Sequence, residues 1–446
     1  MTPGARISAA IDLLDRLAPA DAPPADKLLA DWARGNRYAG SKDKAAIAQA
    51  VYGVLRRRGQ IDWWLKRCQG GVPTSRARML IWLLLGEGLR LTDLDSRFTG
   101  ERHDPPPLTA VEKRVAVELA DQRGFSLGCQ PVPVASNVPD FLGDALTSLY
   151  GDDAARQLAA HGDEAPVDLR VNSLKGTVEE AAVALREEGI TAAPTQLSPF
   201  GLRLPERRPL SGTKAFKDGL IEPQDEGSQL AALLVEAKPG MKVVDFCAGA
   251  GGKTLALAAA MGNSGRIVAC DVSEARLKRA QQRFKRAGVF NVEPRHLSSE
   301  RDKWVKRRKA KFDGGFDRVL VDAPCSGSGT WRRNPDQKWS LTSEGLNELT
   351  GKQAGILESA ARLVSPGGRL IYVTCSILRE ENEEQIDRFL AENQSFFVHP
   401  IQEVWQAALP GVDCPVDADA MHLRLTPADH GTDGFFVAVL GRKLVH

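Results

Sequence analysis

The chain has 446 residues with 59 Lys and Arg against 57 Asp and Glu, a net charge of +2; its length calls for two or three domains, and its total charge names no partner. Seven cysteines, odd in number, irregularly spaced and without a CxxC pair, argue against a disulfide framework and against a zinc site, so no metal is expected. The N-terminal MTPGARISAAIDLLDRLAPAD carries charges where a signal peptide has its apolar core, and MLIWLLLGEGL from Met79 is too short to cross a bilayer, so a soluble cytoplasmic protein with reduced thiols is expected.

Up to about Gln130 the apolar residues recur at helical spacing, in ISAAIDLLDRLA, KDKAAIAQAVYGVLRRRGQIDWWLKR, ARMLIWLLLGEGLRL and TAVEKRVAVELA, with no strand-like alternation. GCQPVPVASNVPD, Gly128 to Asp140, carries three prolines and marks a first boundary. VDLRVNSLK, TVEEAAVALREEGI and GLRLPE then read as strand, helix and strand of a small mixed unit that ends near IEPQDEGSQL. From Met241 the pattern becomes strand, loop, helix, repeated: MKVVDF before TLALAAAM, RIVACD before SEARLKRAQQRFKRAG, then NVEPRHL and FDRVLVD, and GLNELTGKQAGILESAARLV before GRLIYVTC. Alternation of this kind predicts a doubly wound, mostly parallel α/β sheet, whose ligands bind at the carboxyl ends of the strands.

Three features gather at that predicted edge. CAGAGGKT, Cys247 to Thr254, ends like a triphosphate loop, but the first glycine that pattern requires is here Cys247, so the loop signals only close backbone approach to a ligand. Asp271, ending the next strand, suits the ribose hydroxyls of a nucleoside cofactor, with a helix cap as the plainer alternative. Two apolar runs, RVLVDAPCSGSGT and LIYVTCSIL, each deliver a cysteine to a loop, Cys325 and Cys375. A lone cysteine is usually buried filler, but two delivered alike suggest one site.

With S-adenosyl-L-methionine as cofactor the thiols acquire a task. Carbon 5 of cytosine is a poor nucleophile, and addition of a thiolate at carbon 6 makes it electron rich. A thiol with a pKa of about 8.5 needs an electropositive neighbour to ionise, which Lys253 can supply. Removal of the carbon 5 proton and expulsion of the thiolate then need an acid or base nearby, Cys325 or Asp322. Stacking blocks carbon 6, so the target base is expected to be flipped or unpaired. The basic stretches RLKRAQQRFKRAG from Arg276, RDKWVKRRKAK from Arg301 and WRRNPDQKW from Trp331 suit phosphate, with Trp331 and Trp339 as candidate stacking platforms; solvated faces and core tryptophans are the plainer readings.

DFCAGAGGKT, DAPCSGSGT and YVTCSI, with RRNPDQKW between the last two, resemble the RNA cytosine-5 methyltransferases of the Nop/Sun type. VYGVLRRRGQIDWWL resembles the NusB-like domain of that family's bacterial RsmB/Sun branch, which methylates small-subunit (16S) ribosomal RNA, and RVNSLK and PQDEGSQL resemble stretches preceding the catalytic domain. The resemblance implies a NusB-like all-α domain over 1–135, a small α/β RNA-binding domain over 136–225, and a Rossmann-like class I methyltransferase domain over 226–446. It implies Cys375 as nucleophile, Cys325 assisting release of the methylated base, and Asp322 contacting the cytosine, the cofactor or both. Cys247, Ala248, Gly249, Ala250, Gly251, Gly252 and Lys253 would form the cofactor loop, with Asp271 on the ribose. Ala250 stands where the family usually has proline, and RHLSSERDKW offers only Ser298 or Ser299 where an acidic residue usually follows the third strand. The expected partner is small-subunit ribosomal RNA, bound by a monomer. A transfer RNA cytosine-5 methyltransferase and a non-catalytic RNA-binding assembly factor are the rival readings.

Overall fold

The computed structural model describes residues 1–19, 21–307 and 315–444. The end of the second basic stretch, Arg308 to Lys311, lies outside them. The described chain forms two compact units: Met1–Glu164 with Thr330–Ser343, and Ala165–Gly329 with Glu344–His446.

The first unit is helical, without a strand among its described residues. Its longest helix, Ser41–Arg67, buries Ile47, Val51, Val54, Ile61 and Leu65, a stripe at helical spacing that packs on Leu13 of Pro3–Leu17 and Met79 of Ser75–Ile81. Gly53 permits this crossing, since a Cβ there would lie 2.3 Å from the Trp82 ring. Helices continue past residue 135, through Gly143–Tyr150 to Ala154–Ala160.

The WRRNPDQKW segment joins the same unit and corrects an expectation. Trp331 is fully buried rather than open to a base, edge-on to His161 at 6.5 Å, with Lys338 Nζ 5.2 Å from the centre of its ring. Trp339 is half-buried: its Nε1 donates to the carbonyl of Leu55 at 2.6 Å and Arg58 covers its ring. These side chains are bulky and amphipathic, and burying their rings outweighs leaving them in water.

In the second unit a four-stranded antiparallel sheet comes first: β1 (Val167–Val171), β2 (Ala193–Pro194), β3 (Gly201–Leu204) and β4 (Ile221–Pro223), in the order β2-β3-β1-β4. Helix Val178–Glu187, opened by a Thr177/Glu180 capping box, lays Ala181 and Leu185 on Leu169, Val171 and Leu202.

The main sheet comprises β5 (Lys242–Asp245), β6 (Arg266–Asp271), β7 (Val292–His296), β8 (Phe316–Asp322), β9 (Val364–Thr374), β10 (Phe396–Val398), β11 (Leu423–Leu425) and β12 (Phe435–Arg442). Its order is β10-β12-β9-β8-β5-β6-β7, with β11 beside β12; β5 to β9 are parallel, and β12 is antiparallel to β9. Strands buried on both faces read as continuous apolar runs, as Val319, Leu320 and Val321 do beside Leu370, Ile371, Tyr372 and Val373. The chain leaves β5 towards β6 on one side and returns to β8 on the other, so a crevice opens at the carboxyl ends of these strands.

Candidate active site

Adjacent strands β9, β8, β5 and β6 end in Thr374, Asp322, Asp245 and Asp271, so the loops after them line one edge in that order. Three strand spacings of roughly 4.8 Å give the edge a length of about 14 Å from Asp271 to Cys375. That suits a nucleoside cofactor at one end and a reacting base at the other.

At the β6 end, Asp271 is buried and closes the glycine loop. One carboxylate oxygen accepts the Gly249 N–H at 2.8 Å and the other the Ser273 N–H at 2.7 Å. The following helix, Glu274–Ala287, is capped by Ser273, so Asp271 is not a helix cap. Each of its oxygens has a lone pair left for a ribose hydroxyl. Gly249 has φ +55° and open space where a Cβ would stand, while at Gly251, φ +81°, a Cβ would meet the Phe284 ring at 2.6 Å. The loop Cys247, Ala248, Gly249, Ala250, Gly251 thus presents bare backbone outward and packs against its helix inward. Arg283 donates to the Ala250 carbonyl at 2.6 Å, bracing the turn from which the family's usual proline is missing. Open backbone and a carboxylate with spare acceptors fit the nucleoside end of S-adenosyl-L-methionine.

At the centre, Gly252 and Lys253 begin helix Gly252–Ala260. Lys253 is buried, and its Nζ pairs with Asp322 at 2.8 Å. Burial alone would push the ammonium down, but the charge and hydrogen bond of Asp322, with the charges of Cys375 and Asp245, hold it above its ordinary value. Asp245 is a carboxyl the motif reading passed over. Thr254 donates to one of its oxygens at 2.7 Å, and burial, followed by the Asp322 and Asp271 charges, pushes it up to about 7. Burial also drives the Cys247 thiol well up, helped by the same carboxylates, so this loop cysteine stays protonated.

At the β9 end the two motif cysteines meet. Cys325 Sγ and Cys375 Sγ are 3.5 Å apart, and both cysteines are free thiols. The hydrogen bond with Cys375, then burial, then the charges of Cys375 and Glu381 push the Cys325 thiol well above its ordinary value. Cys325 is therefore held against ionisation.

Beyond β7 the loop forms a local turn around Asp302. Asp302 folds back to accept Ser298 N–H at 2.9 Å, Ser298 Oγ–H at 2.7 Å and Trp304 N–H at 2.7 Å; these bonds, the Ser298 N–H foremost, bring it down to about 2. Among the described residues no cluster of His, Cys, Asp and Glu is arranged to hold a metal ion.

The first basic stretch is divided between two tasks. Arg276, Arg279 and Lys285 are exposed on the helix, whereas Arg283 and Arg286 pair with Glu222 of β4 and brace the two sheets.

A parallel sheet in this strand order, with an open glycine loop and a buried carboxylate ending the next strand, is the arrangement of an S-adenosyl-L-methionine-dependent methyltransferase. A family model described as 16S rRNA methyltransferase RsmB/F matches residues 232–441, and one described as the RsmF/B-like ferredoxin-like domain matches residues 138–211. The ribosomal RNA small subunit methyltransferase B of Citrobacter koseri is 29% identical over 421 residues, 90% of this chain and 91% of that protein. Among solved structures, PH0851 is 29% identical with a TM-score of 0.73 over 99% of both chains. A methyltransferase homolog protein from Pyrococcus horikoshii is 30% identical with a TM-score of 0.57, over 70% of this chain and 97% of its own. The chain belongs to the RsmB/F family of Sun-type methyltransferases, and S-adenosyl-L-methionine is its cofactor.

Proposed function

We propose that the protein methylates carbon 5 of a cytosine in small-subunit ribosomal RNA through a covalent bond from Cys375 to carbon 6. The observation that carries this reading is the pair of free thiols 3.5 Å apart beside the Lys253–Asp322 ion pair. When bound, S-adenosyl-L-methionine supplies an electrophilic methyl group.

The chain's own residues do the rest. The Cys375 thiolate adds to carbon 6, and the electron pair of the ring's 5,6 double bond moves to carbon 5, which takes up the methyl group. A base, Asp322 or water, then takes the carbon 5 proton, the electron pair of that C–H bond re-forms the double bond, and the carbon–sulfur bond breaks to return the Cys375 thiolate. Cys325, protonated and in contact with the departing sulfur, assists this release. Lys253 supplies positive charge near the thiolate. Asp322 holds that ammonium in place and reaches towards the ring or cofactor from its partly exposed position. Asp271 and the backbone from Cys247 to Lys253 hold the nucleoside.

The helical segment 1–135, NusB-like in this reading, and the small α/β segment 136–225 bind the RNA. Exposed Arg276, Arg279 and Lys285 add phosphate contacts. The name of the Citrobacter koseri relative supports ribosomal over transfer RNA. The protein would act as a monomer in the cytoplasm.

The test uses ribosomal RNA containing 5-fluorocytidine. Fluorine cannot leave as a proton, so the adduct persists and peptide mapping of the cross-linked species identifies its residue. The expected site is Cys375, with no adduct in Cys375→Ala. A bond to Cys325 would reverse the two roles, and no adduct despite saturable cofactor binding would overturn the covalent route.

A further inference from the structure

Cys325 and Cys375 come from different strands, and irregular loops keep a 3.5 Å separation only if they are tied together. The tie is visible one residue on. Each cysteine is followed by a serine, and the hydroxyls of Ser326 and Ser376 both donate to the same oxygen of Glu381, each at 2.5 Å. The other carboxylate oxygen accepts the Ser326 N–H at 2.8 Å and the Gln353 Nε2–H at 2.9 Å, and Gln353 also donates to the Pro324 carbonyl at 3.0 Å. Ser328 completes the bridge: its hydroxyl is 2.9 Å from that of Ser376 and accepts the Ile377 N–H at 2.9 Å. Asn382, next to Glu381, donates to the Ser376 carbonyl at 2.9 Å.

Glu381 is fully buried, and no Lys or Arg pairs with it among the described residues. A buried carboxylate without a cation is a costly choice for stability alone, and an apolar side chain would fill the space more cheaply. Four charge-assisted hydrogen bonds, two to each oxygen, offset the desolvation and fix one loop geometry. We infer that Glu381 is a positioning residue that clamps the two cysteine loops together and sets the separation of their thiols. The inference rests on the reading that both thiols serve one reaction. The carboxylate's charge also acts against ionisation of Cys325.

The test needs no RNA, so it stands apart from the adduct experiment. Full-length protein is treated with diamide, which takes two electrons and two protons from the thiols and is reduced to its hydrazine as the Cys325–Cys375 disulfide forms; peptide mapping gives the rate. In Glu381→Ala the rate is expected to fall at least tenfold, with Tm and S-adenosyl-L-methionine binding retained. Glu381→Gln is expected to stay within threefold of the parent, because its amide donates where the carboxylate oxygen accepted and the serine hydroxyls rotate to receive it. Glu381→Met, which fills the volume but makes none of the four hydrogen bonds, is expected to be as slow as Glu381→Ala, whereas a purely space-filling role would leave it near the parent rate. Glu381→Ala within twofold of the parent, or Glu381→Gln as slow as Glu381→Ala, overturns the clamp. If Glu381→Ala does not fold, Ser376→Ala removes one arm: a fivefold slower rate supports the clamp and an unchanged one overturns it. If the clamp holds while the parent forms no RNA adduct, the covalent reading fails and the positioning role stands.

Discussion

Two regions bury polar groups, and they do so in opposite ways. At the sheet edge the buried charges are answered: Lys253 by Asp322, Asp271 by two N–H groups, Glu381 by four donors. In the helical unit, Lys338 is fully buried and the charges acting on it are those of Arg56 and Arg57; burial first, then these cations, push it down to about 7. His161 nearby has no partner for either ring nitrogen among the described residues, and burial, then Lys338 and Arg332, push it down to about 3. The first region keeps these three charges by partnering them, with Asp245 as the exception that burial pushes up to about 7; the second copes by neutralising itself. The difference separates a site prepared for chemistry from a polar cluster that the packing only tolerates.

The contrast breaks most visibly at Cys375. Cys375→Ala is expected to lower kcat for RNA methylation by at least about a thousandfold, as loss of a covalent nucleophile does. The thermal midpoint should move little, because Cys375 is only partly buried. A loss of activity that follows a loss of fold would erase the distinction between the two regions.

Lys338→Met should act in the reverse sense. The folded value of about 7 lies below the unfolded 10.5, so the folded state binds fewer protons between them. This lysine's contribution is favourable above the unfolded value, declines as pH falls towards 7, and is fully lost below it. Lys338→Met is therefore expected to stabilise the protein near neutral pH by up to about 4 kcal/mol and to flatten the dependence of stability on pH between those values. Denaturant unfolding at pH 7 and pH 10 measures both, and a steeper dependence in the variant would refute the assignment.

The smallest effect sharpens the comparison at the surface. Arg279→Glu with Lys285→Glu changes exposed cations that belong to neither region, and should weaken RNA binding by about 1 kcal/mol and reduce the slope of log affinity against log salt by roughly two. An unchanged slope would remove this helix from the RNA-binding surface.

The motifs were legible because their chemistry is local. A β-branched run that ends in PCS or TCS both makes the strand and places the thiol at its end, and RIVACD carries Asp271 to its position by the same means. Glu381 was not legible from the same pattern, because its meaning lies in Ser326, 55 residues earlier, and in Gln353 on a helix between them. The WRRNPDQKW stretch misled because composition records charge and aromaticity but not which side of a packed helix they meet.

Strand and helix periodicity, the glycine loop and the residue types at strand ends thus belong to the sequence alone, since each follows from near-neighbour sterics and an alternating or helical apolar pattern. Strand order belongs to the tertiary structure, which set β8 between β9 and β5 and so brought two thiols 50 residues apart to within 3.5 Å. It also decided which of two basic, aromatic stretches became surface and which became core. Those outcomes depend on which apolar faces bury one another, a free energy summed over the whole chain and carried by no single motif.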